Sequence, residues 1–232
     1  RTTNLKIDGV TTLLDDNQSL TFTPNVAFLV GRQHQIVLTS QIKDLFGNTL
    51  YNTYYYFTTS FETDATGPKI IATSVLEGQS DVPTNARIRV RFDEAINSLS
   101  LDNTKLLLNG NEVAVDMAIS ENNNVITLTP KVMLEANTSY QLLVDLVTDL
   151  SGNFLQQAKT VSFSTSSESD TTRESITSYS PGSNYREVPL NTMIEFTTNG
   201  RLDPTTISGN EVYFIDYDGS GAKVPAEISV SA

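Results

Sequence analysis

A chain of 232 residues with 38% apolar side chains has material for roughly one to three soluble domains. Its 15 basic and 27 acidic side chains leave a net charge of -12, which repels nucleic-acid phosphates and anionic membrane surfaces and so disfavours those partners. The absence of cysteine excludes a disulfide, a thiolate metal site and a thiol nucleophile, and no apolar run approaches the ~20 residues of a membrane span.

Read from Arg1, which no signal peptide precedes, the chain soon begins to anticipate itself. "SLTFTPNVAFLVGRQHQIVL" at Ser19 to Leu38 parallels "VITLTPKVMLEANTSYQLLV" at Val125 to Val144, so that Pro24 matches Pro130 at an offset of 106. The same offset takes Phe57 to Phe163 and Asp64 to Asp170, and it takes "DVPTNARI" at Asp81 onto "EVPLNTMI" at Glu187. A period this long is that of a whole small domain, not of a solenoid turn.

"DLFGNTL" at Asp44 to Leu50 returns as "DLSGNFL" at Asp149 to Leu155. Gly152 can take the positive φ that reverses the chain, Asp149 or Asn153 can bond nearby backbone N–H groups, and Leu150 and Leu155 can tuck into a core. The phrase is therefore expected to recur because a turn recurs. In "YNTYYYF" at Tyr51 to Phe57, Tyr55 and Phe57 align with Val161 and Phe163, which leaves Tyr54 and Tyr56 pointing outward where the later copy has Thr160 and Ser162. Two exposed tyrosines offer a contact surface for glycan or protein. The simpler reading is that they are good strand formers on a free face.

In the middle of the chain the apolar period is two. Ile88, Val90 and Phe92 alternate with Arg87, Arg89 and Arg91, as in a half-buried strand. The pattern continues in Val113 to Ile119, Ile126 and Leu128, Tyr140 to Val144, and Val161 and Phe163, with Asn109-Gly110, the Glu121 to Asn124 run and Asp149 to Asn153 as turns. Ile70 to Val75 and Lys105 to Leu108 bring the count to seven short strands in about a hundred residues, the signature of an immunoglobulin-like sandwich. Only "VMLEAN" suggests a short helix. His34 is the single histidine and aligns with Tyr140, near the start of strand F, where such sandwiches hold a corner tyrosine bonded to backbone. A structural histidine is expected.

"SDVPTNARIRVRFDEAI", "VITLTPKVMLEANTSYQLLV" and "DLSGNFLQ" followed by "VSFSTS" resemble the bacterial Ig-like domain of S-layer and large surface proteins. The resemblance implies an all-β chain of tandem Ig-like sandwiches: the C-terminal part of one domain in residues 1–61, a complete domain in 62–167, and the N-terminal part of a third in 168–232. With strands A, B, C, C′, E, F and G alternating in direction, the incoming linker and the B–C and F–G loops share a pole. That pole gathers Asp64, Asp93, Glu94 and Asp149, an oxygen-rich set that suits calcium at a domain junction. A solvated acidic surface is the simpler alternative, and Asn199 in the place of Asp93 argues against a site in every repeat.

Near the C-terminus, "DYDGSGAKVPAE" sets Asp216, Asp218, Ser220, Gly221 and Glu227 at EF-hand positions. The flanks are strand-like, Pro225 interrupts the exit, and the stretch aligns with the hairpin "LLLNGNEVAV", so a hairpin is expected. No triad, zinc site or phosphate cradle has candidates, and acid pairs such as Asp15-Asp16 or Asp93-Glu94 are turn neighbours that do not flank a cleft. The chain is thus expected not to be an enzyme. It reads as a structural segment of a bacterial extracellular or cell-surface protein, a stalk, fibre, adhesin or surface-layer spacer whose partners are neighbouring Ig-like repeats of the same chain or of the same protein in a fibre. The alternatives are a module that binds a carbohydrate or surface protein, and an accessory domain of a secreted hydrolase. The partial ends are read as cut from a longer chain, with completion by a neighbouring chain as the alternative.

Overall fold

The computed structural model describes residues 6–14, 17–120, 122–207, 211–224, 226, 228 and 229. Asp15, Asp16, Glu121, Pro225 and Glu227, named above, lie outside the described residues. The chain forms two compact units, Arg1–Ala65 and Thr66–Ala232.

The first unit holds two antiparallel pairs, β1 (Gly9–Leu13) with β2 (Leu20–Pro24) and β3 (Gln33–Leu38) with β4 (Thr53–Thr58). The second unit opens with β5 (Ile70–Thr73), β6 (Gln79–Val82) and β7 (Ile88–Phe92), followed by a 3-10 turn η1 (Ser98–Asn103). It continues through β8 (Thr104–Leu108), β9 (Asn111–Glu112), β10 (Val115–Ile119), β11 (Val125–Pro130), β12 (Ser139–Val144) and β13 (Lys159–Thr165). Beyond these lie β14 (Ile176–Ser180), β15 (Glu195–Thr198), a short 3-10 turn η2 (Pro204–Thr206), β16 (Phe214–Ile215) and β17 (Lys223–Val224).

Two sheets make the sandwich, a four-stranded one in the order β10-β11-β7-β5 and a five-stranded one in the order β6-β13-β12-β8-β9. Their inner faces supply the alternating residues anticipated from the sequence. Ile88, Val90, Phe92, Ile126, Leu128, Leu142 and Val144 are wholly buried, and Tyr140, Val161 and Phe163 nearly so. Each such side chain stabilises by about 1.5–3 kcal/mol relative to exposure.

Three local features differ from the sequence reading. The stretch from Ile70 to Val75 is only the start of a strand that changes sheets, because after Gly78 (φ +73) β6 continues parallel to β13. "VMLEAN" is not helical; Leu134 is buried from a loop and its N–H donates to Thr84 O. Val115 to Ile119 joins the β11 side of the sandwich, and the hairpin partner of β8 is Asn111–Glu112, extended by the bond from Val113 N–H to Leu106 O, across a turn with φ +52 at Asn109 and +80 at Gly110.

The end strands repeat the internal registers. Gly9 pairs with Pro24 as Val115 pairs with Pro130, and His34 pairs with Phe57 as Tyr140 pairs with Phe163. Ile176 pairs with Thr198 as Ile70 pairs with Phe92, with a bulge at the matching place. Burial does not repeat. Phe22 and Ile36 are 45% and 46% exposed, whereas their counterparts Leu128 and Leu142 are 0% exposed, and Phe196 is as open as these. Each end ladder has its hydrogen bonds, but its apolar side chains stay largely exposed.

Residues 64–166 expressed alone are therefore expected to unfold in one cooperative transition as a monomer. In the whole chain, amide exchange should be slow in β7, β11, β12 and β13 and fast in β1–β4, β14 and β15. Equal protection across all of these strands would contradict the assignment.

Candidate functional site

At the pole where the chain enters the sandwich, Asp149 is 1% exposed and organises the turn that follows it. Its Oδ1 accepts from the backbone N–H of Ser151 (2.7 Å) and of Asn153 (2.8 Å), and its Oδ2 accepts from Asn153 Nδ2 (2.8 Å). Gly152, at φ +87, makes the reversal that an L side chain would strain. The first unit holds the same object. Asp44 Oδ1 accepts from Phe46 N and Asn48 N at 2.9 Å, its Oδ2 accepts from Asn48 Nδ2 at 2.8 Å, and Gly47 also has φ +87. Leu155 N–H donates to Val147 O as Leu50 N–H donates to Ile42 O. The twin phrases are twin turns.

One detail of that turn is corrected. Leu155 packs against the core, but Leu150 is 68% exposed and Leu45 fully so, because the tight Asp–Gly reversal turns the side chain after the aspartate away from the sheets. Val147, two residues earlier, fills the space.

The same turn seats the incoming peptide. Gln156 N–H donates to Pro68 O (3.0 Å), Gln156 Nε2 to Gly67 O (2.6 Å) and Asn153 Nδ2 to Thr66 O (3.5 Å). A Cβ at Gly67 would lie 1.7 Å from Phe154 O, so only glycine admits this approach.

The acidic residues at this pole divide by role. Carboxylate oxygens of Glu94 and Asp149 come within 4.8 Å of one another, close enough for one oxygen-liganded cation. Asp93 is otherwise engaged: its Oδ1 accepts from Lys69 N–H (2.7 Å) while its own N–H donates to Lys69 O. Asn199 does the same for Ser175 (2.6 Å), which is why an amide can replace the carboxylate there. Asp64 belongs to the first unit, next to its last residue, Ala65.

The remaining candidates resolve into structure. Tyr140 Oη accepts from Glu135 N–H (2.9 Å), a tyrosine corner, and its ring stacks on Phe163. His34 stacks on Phe57 in the same way, touches Phe28 edge-on, and its Nδ1 bonds Arg32 O (3.0 Å). Tyr54 and Tyr56 are 53% and 61% exposed, and Tyr56 Oη accepts from Gln35 Nε2. Tyr55 is just as exposed, so burial does not separate the two faces of β4 as the alignment led one to expect. The Asp216 to Ala222 loop closes the β16–β17 hairpin, with Asp216 N–H donating to Ala222 O and Gly221 N–H to Asp216 O. A cleft of about 250 Å³ lined by Asp102, Thr104, Lys105, Glu112 and Met117 contains the Lys105–Glu112 ion pair, a surface contact and not a catalytic pair. The sequence reading missed the work of the outward arginines of β7: Arg89 and Arg91 reach the η2 turn. The alternation "RIRVRF" was its only signal.

Residues 64–165 match the family described as bacterial Ig-like domain. Among solved structures, the N-terminal part of the bacterial S-layer protein SbsC is 18% identical, over 44% of this chain and 24% of that one, with a TM-score of 0.34. Domains 1–6 of surface layer protein SbsC are 16% identical over 49% and 15%, with a TM-score of 0.35. An L,D-transpeptidase from Mycobacterium smegmatis is 16% identical over 44% and 41%, with a TM-score of 0.32. The chain thus spans a quarter or less of the S-layer structures, and likenesses at such TM-scores carry no weight for function. No curated protein matches the chain.

Asp149→Ala would remove the buried carboxylate that the Ser151 and Asn153 donors bond in a part-buried turn, and a loss of about 1–2 kcal/mol is expected in chemical denaturation. Asp44 offers a pH test. The Asn48 side chain above all, then the backbone N–H groups of Asn48 and Phe46, hold its carboxyl below the usual aspartate value. A pKa lower in the folded than in the unfolded state stabilises the turn above the unfolded value, and this is lost as pH falls through the folded value. The Gly47 and Asn48 amide resonances should therefore hold steady down to about pH 4 and shift only below it.

Proposed function

We infer that this chain is a spacer segment of a bacterial cell-surface or extracellular protein, in which residues 64–165 are one complete Ig-like module and the flanking segments are parts of its neighbours. The observation that carries the reading is recurrence: the module's strand registers return at an offset of 106 residues on either side, its Asp–Gly–Asn turn returns on the N-terminal side as Asp44 to Asn48, and its Asp93-type clamp returns on the C-terminal side as Asn199 on Ser175. A module whose buried carboxylate, Asp149, is spent on a turn is built to hold a shape. Its work is mechanical, no catalytic group is assigned, and its partners are neighbouring Ig-like repeats. Among the described residues no helix is long and apolar enough to cross a membrane.

Single-molecule stretching is the direct test. Each complete module should unfold in one event that releases roughly 340–370 Å of contour, less the length of the folded module, from about 3.3–3.6 Å per residue over residues 64–165. Gradual extension without that step would refute the spacer reading.

Calcium belongs to the same proposal, as a lock at the entry pole. The close approach of Glu94 and Asp149 favours it, and Asp64 is the linker carboxylate that the sequence offers. Millimolar calcium, compared with chelator, is expected to reduce interdomain motion in solution scattering while leaving the melting temperature of the sandwich nearly unchanged. Asp64→Asn with Glu94→Gln should reproduce the chelator curve, and identical curves in calcium and chelator would sink the idea.

A second reading, recognition of a glycan or protein by the β4 face, is favoured by the exposure of Tyr54 and Tyr56. Tyr54→Thr with Tyr56→Ser should leave folding intact while abolishing any saturable binding to a glycan panel.

A further inference from the structure

The outward face of β7 carries Arg89 and Arg91, and the segment beyond residue 168 folds back onto it. Asp203 caps η2, its Oδ1 accepting from Thr205 N–H (2.9 Å) and Thr205 Oγ1 (2.6 Å). Its other oxygen accepts from Arg89 Nη1 at 2.9 Å, and Arg91 Nη1 donates to Ile207 O at the far end of the turn, also at 2.9 Å. Thr205 between them is 2% exposed, although it lies on a three-residue turn far along the chain. Two further clips flank the seat. Asn85 exchanges hydrogen bonds with the Asp170 backbone (2.6 and 3.0 Å), and Arg201 Nε pairs with Asp81 Oδ2 (3.1 Å).

The chemistry of this seat is not repeated. At the 106-residue offset, Asp203 corresponds to Asn97, which caps η1 as a neutral side chain through Leu99 N–H. Arg89 and Arg91 correspond to Glu195 and Thr197, so the next segment presents an acid where this one presents a base. A strand face that served only to be soluble would have no reason to place a guanidinium at each end of a foreign turn.

We propose that the Arg89–Arg91 face of β7 is a docking surface addressed to the acid-capped 3-10 turn of the following module, and that it sets the angle and the order of that junction. The proposal rests on reading residues 168–232 as the next module. Arginine suits the task because its planar fork bonds a carboxylate or a carbonyl at fixed geometry, whereas lysine is a point charge. The Arg89–Asp203 pair is partly exposed, at 30% and 24% of its side chains, so salt screens it in part and the joint should loosen at high ionic strength.

The test uses the whole 232-residue chain. Arg89→Glu should expand the scattering profile at low salt and speed exchange of the Thr205 amide about tenfold, the factor that a loss near 1.4 kcal/mol produces. Arg89→Glu combined with Asp203→Arg should restore the scattering profile but not the Thr205 amide, whose acceptor the swap removes. Asp203→Asn keeps an oxygen for the Thr205 N–H while removing the charge, so it separates the ion pair from the cap; it too should loosen the joint, with the melting transition of residues 64–165 unchanged. Wild-type scattering and exchange in both Arg89→Glu and Asp203→Asn, or failure of the charge swap to restore the scattering profile, would overturn the proposal. Stretching would still report the modules in that case, so failure here is distinct from failure of the spacer reading.

Discussion

A β-sheet that is apolar on one face is stable only when something covers that face, and the rest of this protein depends on that constraint. In the complete sandwich, β7 and β11 of one sheet meet β12 and β13 of the other, and the meeting removes Ile88, Val90, Phe92, Ile126, Leu128, Leu142 and Val144 from water altogether. The end segments have the same ladders and kindred residues in the same registers, yet their inner faces stay open. Hydrogen-bonded pairing contributes little net stability without this burial. Conformational entropy of roughly 1–2 kcal/mol per residue opposes ordering in either case.

Closing the sandwich creates a second requirement, because strands that end at a buried pole leave backbone groups that need partners. The Asp–Gly–Asn turn answers it in very few residues. Asp149 takes two backbone N–H groups and one side-chain amide, Gly152 supplies the reversal, and the freed neighbour Gln156 clasps the incoming peptide at Gly67 and Pro68. The Asp93 clamp on Lys69 fastens the other side of the same entry. The first strand is thus anchored on both sides of its entry to the sandwich.

At the opposite end of residues 64–165 the connection is made by side chains. Asn85, Asp81, Arg89 and Arg91 each reach a group beyond residue 168, and at Asp81 the cost of burial is outweighed by hydrogen bonds from Gln79 and Arg201 that hold its carboxyl below the usual aspartate range. Such contacts are polar and adjustable.

The sequence by itself determined the fold class, the period and the turns, because these depend on local rules: alternation of two in "RIRVRF", Gly at a positive-φ reversal, and Asp ahead of it to bind the N–H groups. It also determined that His34 and Tyr140 are equivalents, since both stand opposite a phenylalanine in the same register. Tertiary structure alone decided the rest. It moved the first strand from one sheet to the other at Gly78, turned Leu150 outward, and committed Asp93 to Lys69 while leaving Glu94 beside Asp149. It also gave Arg89 and Arg91 a turn more than a hundred residues away. Alternation says only that a side chain leaves the core; which distant group it meets is fixed by how sheets and segments pack in three dimensions, and no local pattern carries that information.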